Sequence, residues 1–176
     1  MTVLKIVGLD LSITATGICA HNGATSTVGG DAKLGDRRLV KILRAVEPVI
    51  LGADVVMVED LPKSGMGSAT TGMVQGVVRA LLTDCGVPYI LVTPSSLKTY
   101  ATGNGNAPKP DLRMSLFKRF GIDLRDDNQC DAWWLRALGN DLYDQPLAQS
   151  NGRTDLPQNH RRALAKVTRV PIRMKR

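Results

Sequence analysis

The chain reads as an α/β protein built on a mixed five-stranded sheet, a three-strand antiparallel meander continued by parallel strands and flanked by helices. Three observations predict this. Short apolar runs at 3–11, 54–59 and 87–92 alternate with segments whose apolar residues recur at helical spacing. Asn22-Gly23 separates two strand-like stretches, and Asn-Gly is the strongest short hairpin signal. The meander comes first and the helical crossovers later, an order that suits helices packed on a partly parallel sheet.

Residues 3–11 form a central strand because Val3, Leu4, Ile6, Val7 and Leu9 are nearly continuous. Residues 14–21 and 24–29 complete the meander. Leu39, Ile42, Leu43, Val46 and Ile50 give a helix over 35–51, which Gly52 stops. Residues 54–59 return to strand. The clearest amphipathic helix covers 68–85, with Val74, Val77, Val78, Leu81 and Leu82 on one face. Gly72, Gly76 and Ala80 make a second, small-residue stripe on it, which reads either as close packing on the sheet or as contact with a second copy. Strand 87–92 runs into Thr93-Pro94-Ser95-Ser96, where a hydroxyl cap and an early proline start a short helix through Lys98 and Tyr100. A Gly/Asn loop at 103–108, a helix at 109–120 and a last helix from 128 to about 143 follow. From Gln145 onward, turn formers and then basic residues take over.

With 176 residues, 43% hydrophobic and 22% charged, the chain is long enough to bury a core of its own. No segment approaches the ~20 uninterrupted apolar residues of a membrane span. Asp10 breaks any signal-peptide layout at the N-terminus, and Cys19, Cys85 and Cys130 are scattered and odd in number. A reducing cytoplasm is therefore the expected compartment. Two histidines make a His-based zinc site improbable. The net charge of +7 is uneven: residues 1–150 hold fifteen basic and fifteen acidic side chains, while 151–176 hold eight basic ones against Asp155. The expected organisation is a catalytic body over 1–150 and a basic tail over 151–176, and a basic tail points to nucleic acid.

The acidic residues carry the chemistry. Asp10 interrupts an apolar strand, Glu59 ends the strand Val55-Val56-Met57-Val58, and Asp126-Asp127-Asn128-Gln129-Cys130-Asp131 opens the last helix. Charges placed on buried-type strands are costly unless compensated, and a divalent cation compensates them well. Phosphodiester hydrolysis at neutral pH needs an activated water and neutralised charge, which two magnesium ions ~3.5–4 Å apart supply. Asp127 and Asp131, four apart, share a helix face. Taken singly, Asp10 reads equally as a turn former, Glu59 as a solvated strand exit and Asp126-Asp127 as a helix cap. Trp133 and Trp134 adjoin the last carboxylate; one is expected in the core, and contact of either with DNA stays open.

In the order of these motifs the chain resembles the RuvC-type Holliday-junction resolvases of the RNase H-like, retroviral-integrase-like superfamily, in the short form found in bacteriophages. The resemblance runs from about residue 4 to residue 140. It rests on Gly8-Leu9-Asp10-Leu11-Ser12 with Thr14, Thr16 and Gly17, on the strand ending in Glu59, on Thr93-Pro94-Ser95-Ser96-Leu97-Lys98, on Thr102-Gly103-Asn104-Gly105-Asn106-Ala107-Pro108-Lys109, and on Asp131-Ala132. It implies an RNase H-like fold and metal ligation by Asp10, Glu59 and Asp131, with Mg2+ as the cofactor and Mn2+ as a substitute. Such a family's fourth ligand sits three residues before the last aspartate, where this chain has Asn128. Asp127, one residue earlier, is taken as the fourth. Lys98 and Lys109 match basic residues near the scissile phosphate. The implied enzyme is a homodimeric crossover junction endodeoxyribonuclease that nicks four-way junctions and other branched DNA symmetrically, leaving a 5′-phosphate and a 3′-hydroxyl. It would act in the host bacterial cytosol, without membrane or small-molecule cofactor.

After Glu59 the family carries an aromatic wedge, but no aromatic lies between Asp10 and Tyr89, so Leu61 or Met66 must serve. Competing classes are an actin-like phosphotransferase, for which the chain lacks a second lobe, a non-catalytic junction binder, and an RNase H-like or flap nuclease.

Overall fold

The computed structural model describes residues 3–61, 68–145 and 157–172. Five strands, β1 (Ile6–Asp10), β2 (Thr16–Cys19), β3 (Thr25–Val28), β4 (Val55–Glu59) and β5 (Tyr89–Val92), form one sheet in the order β3-β2-β1-β4-β5. β1–β2 and β2–β3 pair antiparallel, β1–β4 and β4–β5 parallel. The meander and the parallel extension are those expected from the sequence.

Helices cover both faces of the sheet, and the two-residue period of the strands decides which side chain meets which layer. Val7, Leu9, Val56 and Val58 point to one core, which they share with Ile42, Val46 and Ile50 of α1 (Arg37–Ile50) and with Val74, Val78 and Leu82 of α2 (Ser68–Asp84). Ile6, Val55 and Met57 point to the other. There they meet α3 (Pro94–Thr102), α4 (Lys109–Phe120) and α5 (Asp127–Leu142) through Leu97, Tyr100, Leu112, Leu116, Trp133 and Trp134. Asp10 and Glu59 keep the parity of Ile6 and Met57, so the period directs both carboxylates toward α5.

Gly8 and Gly17 let α5 lie against the strand backbone. A Cβ on Gly8 would stand 2.0 Å from the Ala132 carbonyl oxygen, and one on Gly17 would stand 2.0 Å from that of Asn128. Both tryptophans are fully buried behind this contact, edge-to-face at 5.4 Å, with Trp134 Nε1 donating to the Leu112 carbonyl at 3.1 Å. Neither reaches a surface on which DNA would lie.

Two readings of the sequence change. Gly76 and Ala80 are exposed, with nothing within 4 Å of a Cβ on Gly76, so the small-residue stripe does not pack on the sheet; Val74 and Val78 do. Within the expected basic tail lies a helix, α6 (Gln158–Leu164). Ala163 and Val167 are buried in the α5-side core, with Leu164, Val170 and Ile172 packed against it. The Tyr143 hydroxyl donates to the Val170 carbonyl at 2.8 Å and accepts from the Val170 N–H at 3.1 Å. No helix among the described residues is long and apolar enough to cross a membrane.

Candidate active site

Parallel pairing of Leu9 with Val58 puts the next residues, Asp10 and Glu59, side by side at the ends of neighbouring strands. Their carboxyls hydrogen-bond to each other. Asp131 arrives from above: Ala132 is pressed on Gly8, so the preceding residue of α5 comes to the level of Asp10. Asp10 and Asp131 are each only 8% exposed.

Local hydrogen bonds fix the approaches. The turn after Asp10 is held by Thr16 Oγ1, which donates to the Ser12 carbonyl at 2.6 Å and accepts from the Ser12 N–H at 3.1 Å. Asp126 is the N-cap of α5, accepting from the backbone N–H groups of Asn128 and Gln129 at 2.8 and 3.3 Å, while Thr27 of β3 donates to its other oxygen at 2.6 Å. The cap reading of this acidic run therefore applies to Asp126. Gln75 is a functional neighbour that sequence reasoning missed. Its Nε2 donates to the Glu59 carbonyl at 2.6 Å from a position 2% exposed, tying the end of β4 to α2. Only its place on the α2 face beside Val74 and Val78 signals this.

A cleft of about 380 Å³ opens over the carboxylates, lined by Asp10, Ser12, Glu59, Lys98, Lys109, Asn128 and Asp131 among others. Burial raises the Asp10 carboxyl despite its hydrogen bond with Glu59. Glu59 is pushed up to about 9 by burial, and then by the charges of Asp10 and Asp131. Asp131 is raised to about 7 by burial and by Asp10, with Lys109 and Lys98 pulling the other way. Asp127 stands at the rim, half exposed, its Oδ2 3.7 Å from Lys109 Nζ. It acts on Asp131 through space, while Asn128 takes the place in the lining. The structure thus brings together Asp10, Glu59, Asp131, Lys98 and Lys109, and leaves Asp127 beside them. Leu61 is half-buried; Met66 lies outside the described residues.

The chain is 32% identical over 134 residues to a crossover junction endodeoxyribonuclease RuvC of Paenarthrobacter aurescens, an alignment covering 68% of this chain and 71% of that protein. The chain belongs to the RuvC family. A second RuvC relative, from Streptomyces griseus, is 25% identical over 138 residues, covering 68% of this chain and 66% of the relative. The fold matches Thermus thermophilus RuvC in complex with a Holliday junction substrate at a TM-score of 0.63 and 21% identity, covering 76% of this chain and 90% of that one. Another T. thermophilus RuvC structure matches at 0.63 and 20% identity, covering 76% and 91%. No protein-family model matches the chain.

RuvC enzymes are metal-dependent nucleases, and the donor set of this member fits a hard divalent cation. All three converging donors are carboxylates, and the nearby thiol of Cys130 is pushed up to about 12 by burial, unsuited to ligation. Among the described residues no three acidic, His or Cys side chains close on a single point. The three carboxylates interact pairwise instead, Asp10 with Glu59, Asp10 with Asp131 and Glu59 with Asp131. Magnesium binds through one or two carboxylates and keeps its remaining places for water and substrate phosphate, so pairs suffice.

Proposed function

We propose that this RuvC-family chain resolves Holliday junctions by magnesium-dependent, symmetric nicking, with Asp10, Glu59 and Asp131 as the metal-holding residues. The convergence of these three carboxylates from two strands and a helix, under one cleft that also holds Lys98 and Lys109, carries the reading. Bound Mg2+, or Mn2+ in its place, would supply charge neutralisation at the scissile phosphate and an acidified water as nucleophile. Lys98 and Lys109 face the same cleft as fixed cations, suited to orienting the phosphate and to holding charge that develops on it. Glu59 keeps its proton in the metal-free fold and must release it to act as a ligand, which favours loading and cleavage at higher pH. Asn128 in the lining contributes an amide where a fourth carboxylate is expected, and Asp127 neutralises part of Lys109 from the rim. Cleavage would leave a 5′-phosphate and a 3′-hydroxyl.

A homodimer supports paired nicking, because two symmetry-related strands of a junction must meet equivalent sites. The exposed Gly76–Ala80 stripe of α2 is the face that favours close approach of a second copy. The substrate would arise in phage replication or packaging, the setting that the short-form resemblance implies. Asp10→Asn tests the assignment: nicking of a four-way junction should be lost while junction affinity stays within a few-fold, since phosphate contacts come from elsewhere. A variant that nicks at a near wild-type rate with Mg2+ removes Asp10 from the chemistry.

A further inference from the structure

Residues 157–172 contain four basic side chains, Arg161, Arg162, Lys166 and Arg169, and no acidic one. All four are exposed, although the segment that bears them is docked. Ala163 and Val167 hold it in the core, the two Tyr143–Val170 hydrogen bonds fix its far end, and Arg169 lies 3.0 Å from Asp144 and over the Tyr143 ring. Arg162 and Lys166 form no ion pair with any described residue. The anchor of this surface shares α3 with the cleft. His160 Nδ1 donates to the Tyr100 carbonyl at 2.7 Å and a Cβ on Gly103, the C-cap of α3, would meet Asn159, while Leu97 and Lys98 of the same helix line the cleft.

We propose that this docked C-terminal segment is a fixed contact for duplex DNA, holding a junction arm beside the cleft through Arg162 and Lys166; the proposal rests on the junction-resolving reading above. Duplex arms present a phosphate every 3.4 Å of rise on each strand, so an arm running along α3 from Lys98 to its C-cap Gly103, ~8 Å of helix rise, offers about two phosphates on each strand. Charge of a single sign matches a polyanion. None of the large apolar side chains exposed among the described residues lies in the segment, which sets it apart from an apolar protein interface. Docking also removes a cost. A loose tail loses conformational entropy when it binds, whereas a segment ordered in the free protein does not.

The test is the double variant Arg162→Gln/Lys166→Gln in the full chain, with binding to one immobile four-way junction measured from 0.05 to 0.3 M salt. Two lost phosphate contacts should lower the slope of log K against log salt by about 1.8 and weaken binding at 0.1 M salt by roughly tenfold per contact. Turnover at saturating junction and the thermal midpoint should not move, because both side chains are exposed and lie outside the cleft. In the wild type, Lys166 should also be shielded from amine acetylation when junction is bound. Equal salt slopes for variant and wild type, or a Lys166 equally reactive with and without DNA, overturn the proposal while leaving resolution intact. A wild-type chain that fails to bind junctions at all would instead overturn the functional reading on which it rests.

Discussion

Asp131→Asn should make the metal-free protein more stable at alkaline pH while destroying its response to magnesium. Asp131 titrates near 7 in the fold instead of at its ordinary 3.8, because it is buried and sits beside Asp10. Between those values the folded chain retains a proton here that the unfolded chain has released, so the contribution of Asp131 to stability falls as pH rises through the window and is flat above it. At 1.36 kcal/mol per pKa unit the ionised carboxylate costs the metal-free fold about 4 kcal/mol at pH 8. An asparagine keeps the shape without ionising and loses ~1 kcal/mol in altered hydrogen bonding, leaving a gain of about 3 kcal/mol. For a chain of this size that is roughly 6–12 °C in Tm. Thermal melts of both proteins in chelator from pH 4 to pH 8 measure it: the two midpoints should lie close together at pH 4 and separate toward pH 8. Adding Mg2+ should then raise the wild-type midpoint and leave that of the variant nearly unchanged. A difference in midpoint that is the same at pH 4 and pH 8 would refute the reasoning.

Three further outcomes rest on the same structure. Asn128→Asp adds a carboxylate to the cleft lining and should tighten Mg2+ or Mn2+ binding, read by calorimetry. Asp127→Asn should cut nicking less than tenfold, since this side chain pairs with Lys109 at the rim, and near-complete loss would make Asp127 the fourth ligand. Deleting residues 157–176 removes Ala163 and Val167 from the core and the His160 hydrogen bond to the Tyr100 carbonyl. Burial of one large apolar side chain contributes ~1.5–3 kcal/mol, so the truncated chain should melt about 10 °C lower in the same melting assay.

Much of this architecture was legible because period and punctuation agreed. Continuous apolar runs marked β1, β4 and β5, Asn22-Gly23 fixed the hairpin, and the strand parity of Asp10 and Glu59 already placed them on one face. The convergence on Asp131 also had a local sign, since Gly8 and Gly17 interrupt strands exactly where α5 lies on the backbone. What stayed hidden depends on tertiary partners. Seven residues of α6 carry too little periodicity to stand out from their arginines, and only the packing of His160, Ala163 and Val167 against α3 and α5 makes them a helix. Asp126, Asp127 and Asn128 are consecutive and chemically alike. Helix phase alone decides which one caps, which meets Lys109 and which enters the cleft, and that phase is set by Thr27 on a strand a hundred residues away. Gln75 was unreadable for the same reason: its partner is a backbone carbonyl of β4.

The most direct measurement is a nicking assay on four substrates, a four-way junction, a Y-fork, a flap and plain duplex, each with Mg2+ and with chelator. The account predicts paired nicks at symmetric positions in the four-way junction, ends carrying a 5′-phosphate that ligase can reseal, and no cutting in chelator. Cleavage that persists in chelator, or that favours the flap or plain duplex over the four-way junction, would contradict it.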